Sequence, residues 1–200
     1  MPKVCAYYFA PHSPWAYLGH ARFVALAQQC GAQIELKPFD LGKVLSVSGG
    51  LPLAKRSPQR QAYRLVELQR WSEHLQMPLN LQPKYFPVPP DLAAKLIVAT
   101  QLAHGTNKAL ELSGAVMTAL WVEDRNIADE ETLAALAGSL ELDGKALLKS
   151  AETASVGAAY EQFTDDAIAA NVFGSPWYLI DGEGYWGQDR LDFVARALAR

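Results

Sequence analysis

Val4-Cys5-Ala6-Tyr7-Tyr8-Phe9-Ala10-Pro11-His12-Ser13-Pro14-Trp15 is the stretch on which the architecture turns. Val4 to Phe9 is a short β-branched and aromatic run, the composition of a buried strand. Ala10-Pro11-His12 reads as a turn. Ser13 then supplies a helix N-cap and Pro14 the first helical position, where the missing N–H costs nothing and the fixed φ suits the first turn. Trp15, Leu18, Phe23, Leu26 and Ala27 give that helix an inward face, and Gly31 is a natural stop. Gln33 to Phe39 reads as a second strand. Such a β-α-β unit calls for parallel strands and a right-handed crossover.

Outward from this unit the pattern changes. Gly49-Gly50-Leu51-Pro52 and Ser57-Pro58 mark loop, and helical periodicity dominates from there to about Phe173. Helices are expected over Gln59–Leu75, over Asp91–Ala103 with Asp91 as N-cap and Gly105 behind it, and over Asn107–Val122. Shorter ones are expected over Asp129–Ala137 and Asp143–Ser155, each opened by an aspartate, and a last one over Gly157–Asn171. Leu81 to Pro90 holds Pro83, Pro87, Pro89 and Pro90, which forbid regular structure. The tail returns to α/β: Pro176–Ile180 as a strand, Asp181-Gly182-Glu183-Gly184 as a hairpin turn, Tyr185–Gly187 as its partner, and Leu191–Leu198 as a closing helix. The expected fold is therefore α/β and thioredoxin-like, carrying a large all-helical insertion. Residues 1–50 and 165–200 would form the discontinuous thioredoxin-like domain, and residues 51–164 the insertion.

Half of the 200 residues are hydrophobic, enough for a sizeable core. The most apolar stretch, Leu92 to Ala103, is too short to cross a bilayer and carries Lys95. Met1-Pro2-Lys3-Val4-Cys5 leads straight into the strand pattern without the features of a signal peptide, so a cytoplasmic location is expected. A net charge of −3 gives no sign of nucleic-acid binding. Basic residues are scattered apart from a modest cluster at Lys55, Arg56, Arg60 and Arg64. Cys5 and Cys30 are too few and too dispersed for a disulfide framework, and each reads as a small apolar residue. No metal site is expected.

The first helix opens where strand one ends, so its free N–H groups and positive dipole end point into the cleft at the strand's carboxyl edge. That place stabilises an anion. Ser13 can cap its own helix or donate its hydroxyl to a ligand. Serine-triad chemistry lacks support: His12, His20, His74 and His104 sit in no Ser/His/Asp motif, and no Gly-x-Ser-x-Gly elbow exists. Disulfide exchange also fails, because the Cys-x-x-Cys position reads Ser13-Pro14-Trp15-Ala16. A hydroxyl at a helix N-terminus can, however, hold a thiolate brought by a cosubstrate. One charge-assisted hydrogen bond plus the dipole would lower a thiol pKa from about 9 by about one to two units. Phe173-Gly174-Ser175-Pro176 precedes a strand where such folds place a cis-proline, although an ordinary trans proline would suit a strand start. In Trp186-Gly187-Gln188-Asp189-Arg190, Asp189 can cap the last helix or accept an ammonium.

Taken in order, these pieces resemble the 2-hydroxychromene-2-carboxylate isomerase family, related to kappa-class glutathione transferases and DsbA-like proteins. The matching residues are Tyr8-Phe9, Ser13-Pro14-Trp15 and Tyr17-Leu18; Asp40-Leu41; Leu68-Gln69-Arg70-Trp71 with Met77-Pro78-Leu79; Val172-Phe173-Gly174-Ser175-Pro176; and Trp186-Gly187-Gln188-Asp189-Arg190-Leu191. Nearly the whole chain is covered. The resemblance implies a glutathione cofactor with its sulfur on Ser13, its cysteinyl backbone on Ser175 ahead of a cis Pro176, and its γ-glutamyl end at Trp186, Gly187, Gln188 and Asp189. Arg60 falls where the family carries a lysine for a glutathione carboxylate. Tyr85 falls at a substrate-facing tyrosine, and Lys43, Lys55 or Arg56 would meet the carboxylate of an aromatic 2-oxo acid. Two departures stand out: Gly50 replaces an asparagine, and Leu45 aligns near a substrate-binding lysine. The implied activity is cis-trans isomerisation by reversible thiolate addition, in a homodimer. A glutathione transferase or thiol-dependent reductase, and a noncatalytic thioredoxin-fold binding module, are the alternatives.

Overall fold

The computed structural model describes residues 2–200. β1 (Val4–Phe9) and β2 (Gln33–Pro38) pair in parallel, Tyr7 opposite Leu36, and α1 (Pro14–Gln29) crosses between them. The other edge of β1 takes β3 (Trp177–Ile180) antiparallel, and β4 (Glu183–Trp186) completes a sheet of order β2-β1-β3-β4. A parallel pair needs a long crossover, whereas an antiparallel pair needs only a turn. That turn is shorter than the sequence suggests. Asp181 and Gly182 make it alone, with φ of 50° and 83°, the double positive geometry that matches strand twist. Glu183 and Gly184 already belong to β4.

Between the two halves of the sheet lie α2 (Leu41–Ser48), a 3-10 turn at Leu53–Lys55, α3 (Pro58–Leu75), α4 (Asp91–His104), α5 (Thr106–Trp121), α6 (Glu130–Ser139), α7 (Gly144–Ala151) and α8 (Ala154–Ala169). A 3-10 turn at Gln188–Arg190 leads into α9 (Leu191–Leu198). This is the thioredoxin-like α/β plan with a helical insertion. No helix of the described residues is long and apolar enough to cross a membrane. Three local expectations are corrected. No helix is expected from sequence at α2, which Asp40 caps by accepting from the Lys43 N–H at 3.0 Å. Asp91 is not the cap of α4: Pro90 holds that position and the Asp91 carboxylate accepts from the Tyr160 hydroxyl instead. The helix expected over 143–155 stops at Ala151, and α8 starts at Ala154 behind the N-cap Thr153, three residues before Gly157.

The sheet divides the core by the period of two along a strand. Cys5, Tyr7 and Phe9 face the large cluster beneath α1, α5 and α9, while Ala6 and Tyr8 face a smaller one with Phe39, Val44, Ala167 and Trp177. The Tyr7 ring is the hub, stacked on Phe9 at 5.0 Å and Tyr178 at 5.4 Å, with Phe23 tilted against it at 4.8 Å. Aromatic pairs of this kind add about 0.5–1.5 kcal/mol beyond area burial. A polar thread runs through the same layer. The Tyr7 hydroxyl donates to His20 Nδ1 at 3.3 Å, and His20 Nε2–H donates to the Leu110 carbonyl at 3.0 Å, joining β1, α1 and α5.

This arrangement satisfies a neutral imidazole, and its surroundings are apolar. Burial accordingly holds the His20 pKa down to about 4, against the lesser opposing effect of the Leu110 carbonyl. His12 is held to about 4 by burial in the same way. A folded pKa below the unfolded one means that the unfolded chain binds the proton first, so stability is complete above pH ~6.5 and is lost as pH falls toward 4. Denaturation midpoints should therefore fall between pH 7 and pH 5. In His20→Gln the slope of unfolding free energy against pH should shrink, by up to about 1.4 kcal/mol per pH unit. Equal slopes in the two proteins would refute a neutral, buried His20.

Candidate active site

Ser13 sits at the junction of β1 and α1 with extended backbone, φ −81° and ψ 122°, the conformation of an N-cap. Both uses open to its side chain coexist. Its oxygen accepts from the Ala16 N–H at 3.2 Å, and its hydroxyl donates to the Ser175 carbonyl at 3.3 Å. Ser175 answers from across the sheet, its Oγ accepting from the Ala10 N–H at 2.9 Å. The Ser175–Pro176 peptide bond is cis, as the resemblance implies. Both serines are buried, yet Ser175 lines a cleft of about 540 Å³.

One wall of that cleft is Trp186, Gly187, Gln188, Asp189 and Arg190. The Gly187 N–H donates to the Pro176 carbonyl at 3.0 Å, which fixes this wall to the cis-proline. Gly187 adopts φ 102°, a conformation few other residues take. Gln188 is a brace more than an open ligand: it is buried, and its Oε1 accepts from Arg22 Nη1 at 2.6 Å. A Cβ at Gly19 would stand 2.8 Å from the Gln188 Cβ, so only glycine lets α1 approach this closely. Asp189 does not cap α9, which starts without a side-chain cap. Its carboxylate pairs with Arg190 at 2.6 Å while still lining the cleft. Phe173 stands edge-on to Trp186, 4.9 Å away, and holds the indole at the rim.

The facing wall is α3 and the loop before it: Arg56, Arg60 and Arg64, with the aromatic rings of Tyr63 and Trp71. Trp15 of α1 lies between the walls. Of the residues implicated by sequence, the fold thus gathers Ser13, Ser175, Pro176, 186–189, Arg56 and Arg60 at one place. Lys43, Lys55 and Tyr85 lie off the cleft wall. Lys43 faces α8, 3.8 Å from Glu161, and Tyr85 packs against the core with Lys84 over its ring. Sequence reasoning passed over Tyr63, Trp71 and the role of Arg64. The signal was present, since 60, 64, 67 and 71 share one helical face.

No protein thiol serves this site. Burial raises the Cys5 thiol to about 12, and Cys30 caps the far end of α1, about 26 Å from Ser13 by helical rise. Ser175, whose carbonyl accepts from the buried Ser13 hydroxyl at the helix N-terminus, and a row of guanidinium groups line a space that suits an anion.

A DSBA-like thioredoxin domain matches residues 6–199. The chain belongs to this DsbA-like family. A 2-hydroxychromene-2-carboxylate isomerase of Pseudomonas sp. (strain C18) is 30% identical to it, over 96% of this chain and 88% of the relative. A glutathione S-transferase kappa 2 of Caenorhabditis elegans is 27% identical, over 98% and 92%. The solved structure of a 2-hydroxychromene-2-carboxylate isomerase superposes with a TM-score of 0.81 at 26% identity, covering 98% of this chain and 95% of that one. The resemblance read from Ser13-Pro14-Trp15 and the tail motifs thus holds along the whole DsbA-like chain. Its link between the two halves is open to test. Ser175→Ala strips the buried Ala10 N–H of its acceptor and should cost about 1–3 kcal/mol in urea unfolding. A loss below about 0.5 kcal/mol, the range of an ordinary surface substitution, would show that this bond does not couple β1 to β3.

Proposed function

We propose that this DsbA-like protein is a glutathione-dependent isomerase that interconverts the cis and trans forms of a conjugated aromatic 2-oxo acid. The observation that carries the reading is Ser13. It occupies the reactive-cysteine position as a buried hydroxyl at a helix N-terminus, opposite the cis Ser175–Pro176 bond, with no protein thiol nearby. Isomerase and kappa-transferase names among the relatives support it. In this reading Ser13 turns its hydroxyl from the Ser175 carbonyl to the glutathione sulfur and holds it as thiolate. The backbone of Ser175 pairs with the cysteinyl residue, Asp189 receives the γ-glutamyl ammonium, and Arg60 takes a glutathione carboxylate bidentately.

When bound, glutathione would supply a thiolate for reversible addition to the alkene carbon β to the ketone; addition would make the former double bond single and free to rotate, with charge passing to the ketone oxygen, and elimination would re-form it, so no net proton or electron would be consumed. The chain's tasks are to ionise the thiol, align the alkene and balance the enolate charge. The resemblance further supports a homodimer acting in the cytoplasm.

A transferase would use the same site and consume glutathione, and the kappa relative gives that alternative its weight. Free thiol should stay constant through many turnovers; its stoichiometric loss would replace isomerase by transferase. Ser13→Ala should raise the pH midpoint of bound-thiolate absorbance by about one unit and cut turnover by about tenfold or more. Unchanged values in Ser13→Ala would remove the serine from the chemistry. Cys5→Ala/Cys30→Ser should keep its activity.

A further inference from the structure

Arg64 stands apart from the other charges of the cleft. Its guanidinium lies against the paired rings of Phe86 and Trp121 in the insertion, 5.2 Å from one ring centre and 5.8 Å from the other, and its Nη2 is buried with no acceptor. No ion pair engages it among the described residues. The nearby acids face away from it, Glu67 pairing with Arg70 and one oxygen of Asp189 with Arg190. Its like-charged neighbour Arg56 deepens the penalty: burial first, then Arg56, lowers the Arg64 pKa to about 10. Arg56 itself spends its Nε on the Leu51 carbonyl at 2.8 Å. A guanidinium that stays charged, partly desolvated and beside a second one is in place for an anion that the chain does not supply.

The proposed site assigns three of the four charges of glutathione, thiolate at Ser13, ammonium at Asp189 and one of its two carboxylates at Arg60. Arg64 projects from the opposite wall and is backed by rings of the insertion. Tyr63 and Trp71 flank it along the cleft. We infer that Arg64, assisted by Arg56, is the residue that selects the second ligand of the cleft, seating the carboxylate of a flat conjugated acid against an aromatic floor. The inference rests on the glutathione reading, whose second carboxylate is the competing occupant that the glutathione affinity of the Arg64 variant reports, and it displaces Lys43 and Lys55 as the receiving cations.

The test compares two probes on the full-length protein, benzylidenepyruvate and benzylideneacetone, which share the enone and differ in the carboxylate. Binding is followed by tryptophan quenching, and glutathione affinity is measured separately by calorimetry. The unmodified protein should bind the acid about tenfold to a hundredfold more tightly than the ketone, the span of a charge-assisted hydrogen bond. Arg64→Met should abolish that preference by weakening the acid alone, with glutathione affinity changed less than about twofold. Arg64→Lys, which keeps the charge and loses the fork, should fall between. Equal binding of acid and ketone by the unmodified protein overturns the inference without recourse to any variant. So does an Arg64→Met protein that weakens both probes alike, or that loses glutathione and keeps the preference. Failure of the unmodified protein to bind glutathione would sink the Ser13 reading, while the acid-to-ketone ratio would still report on Arg64.

Discussion

A single hydroxyl group imposes the geometry on which this molecule depends. The Ser13 oxygen must accept from Ala16, or α1 loses its cap; its proton must go somewhere other than the helix, and the structure sends it to the Ser175 carbonyl. The two serines are 162 residues apart in the chain, so the contact exists only if β3 lies beside β1 in one register, with Tyr8 opposite Trp177. The return bond from the Ala10 N–H to the Ser175 Oγ makes the junction two-sided. From there the constraint spreads: Pro176 holds Gly187, Gln188 follows, and Arg22 of α1 clamps Gln188. The helix that carries Ser13 therefore also positions the far wall of the cleft.

Two kinds of electrostatic work are separated in space. At the α1 N-terminus the acting groups are neutral, a hydroxyl and backbone amides, and they act at contact distance where water is excluded. Together they are worth about one to two pKa units to a bound thiol, enough to ionise much of a thiol of pKa about 9 at neutral pH. On α3 the groups are full charges beside an open cleft. Screening by salt weakens their reach toward the sulfur, so their value lies in direct pairing with carboxylates. In the proposed reaction the helix end tunes the nucleophile and the arginines orient what it meets.

The sequence discloses those parts of the molecule that are locally encoded. Ser13-Pro14 announces α1, Asp129 and Asp143 cap the helices they precede, and the β-α-β and β-β-α ends define the fold. What escapes is set by partners distant in sequence. Asp91 has the residue type of a cap, but Tyr160 claims its carboxylate. Gln188 has the look of a ligand side chain until Arg22, 166 residues earlier, takes its oxygen. Lys43 lies in the right stretch for a substrate cation, yet α2 was not foreseen, and that helix turns it toward Glu161. Arg64 reads as one member of a basic surface cluster, because nothing local predicts that it will lie against the rings of Phe86 and Trp121.

The pairing of acids in the cleft follows from chain geometry. Glu67 and Arg70 are three apart on a helix, and Asp189 and Arg190 are adjacent, so both pairs close at little entropic cost. Asp189 thereby meets its own neighbour in preference to a guanidinium across the cleft, and Glu67 turns along α3 to Arg70 and leaves Arg64, also three residues away, unpaired. Had either acid reached Arg60 or Arg64 instead, the cleft would neutralise itself and an entering carboxylate would have to displace it. Local pairing keeps the cationic wall unspent. In such a cleft, recognition of an anion follows from how the protein's own acids are kept occupied as much as from where its cations stand.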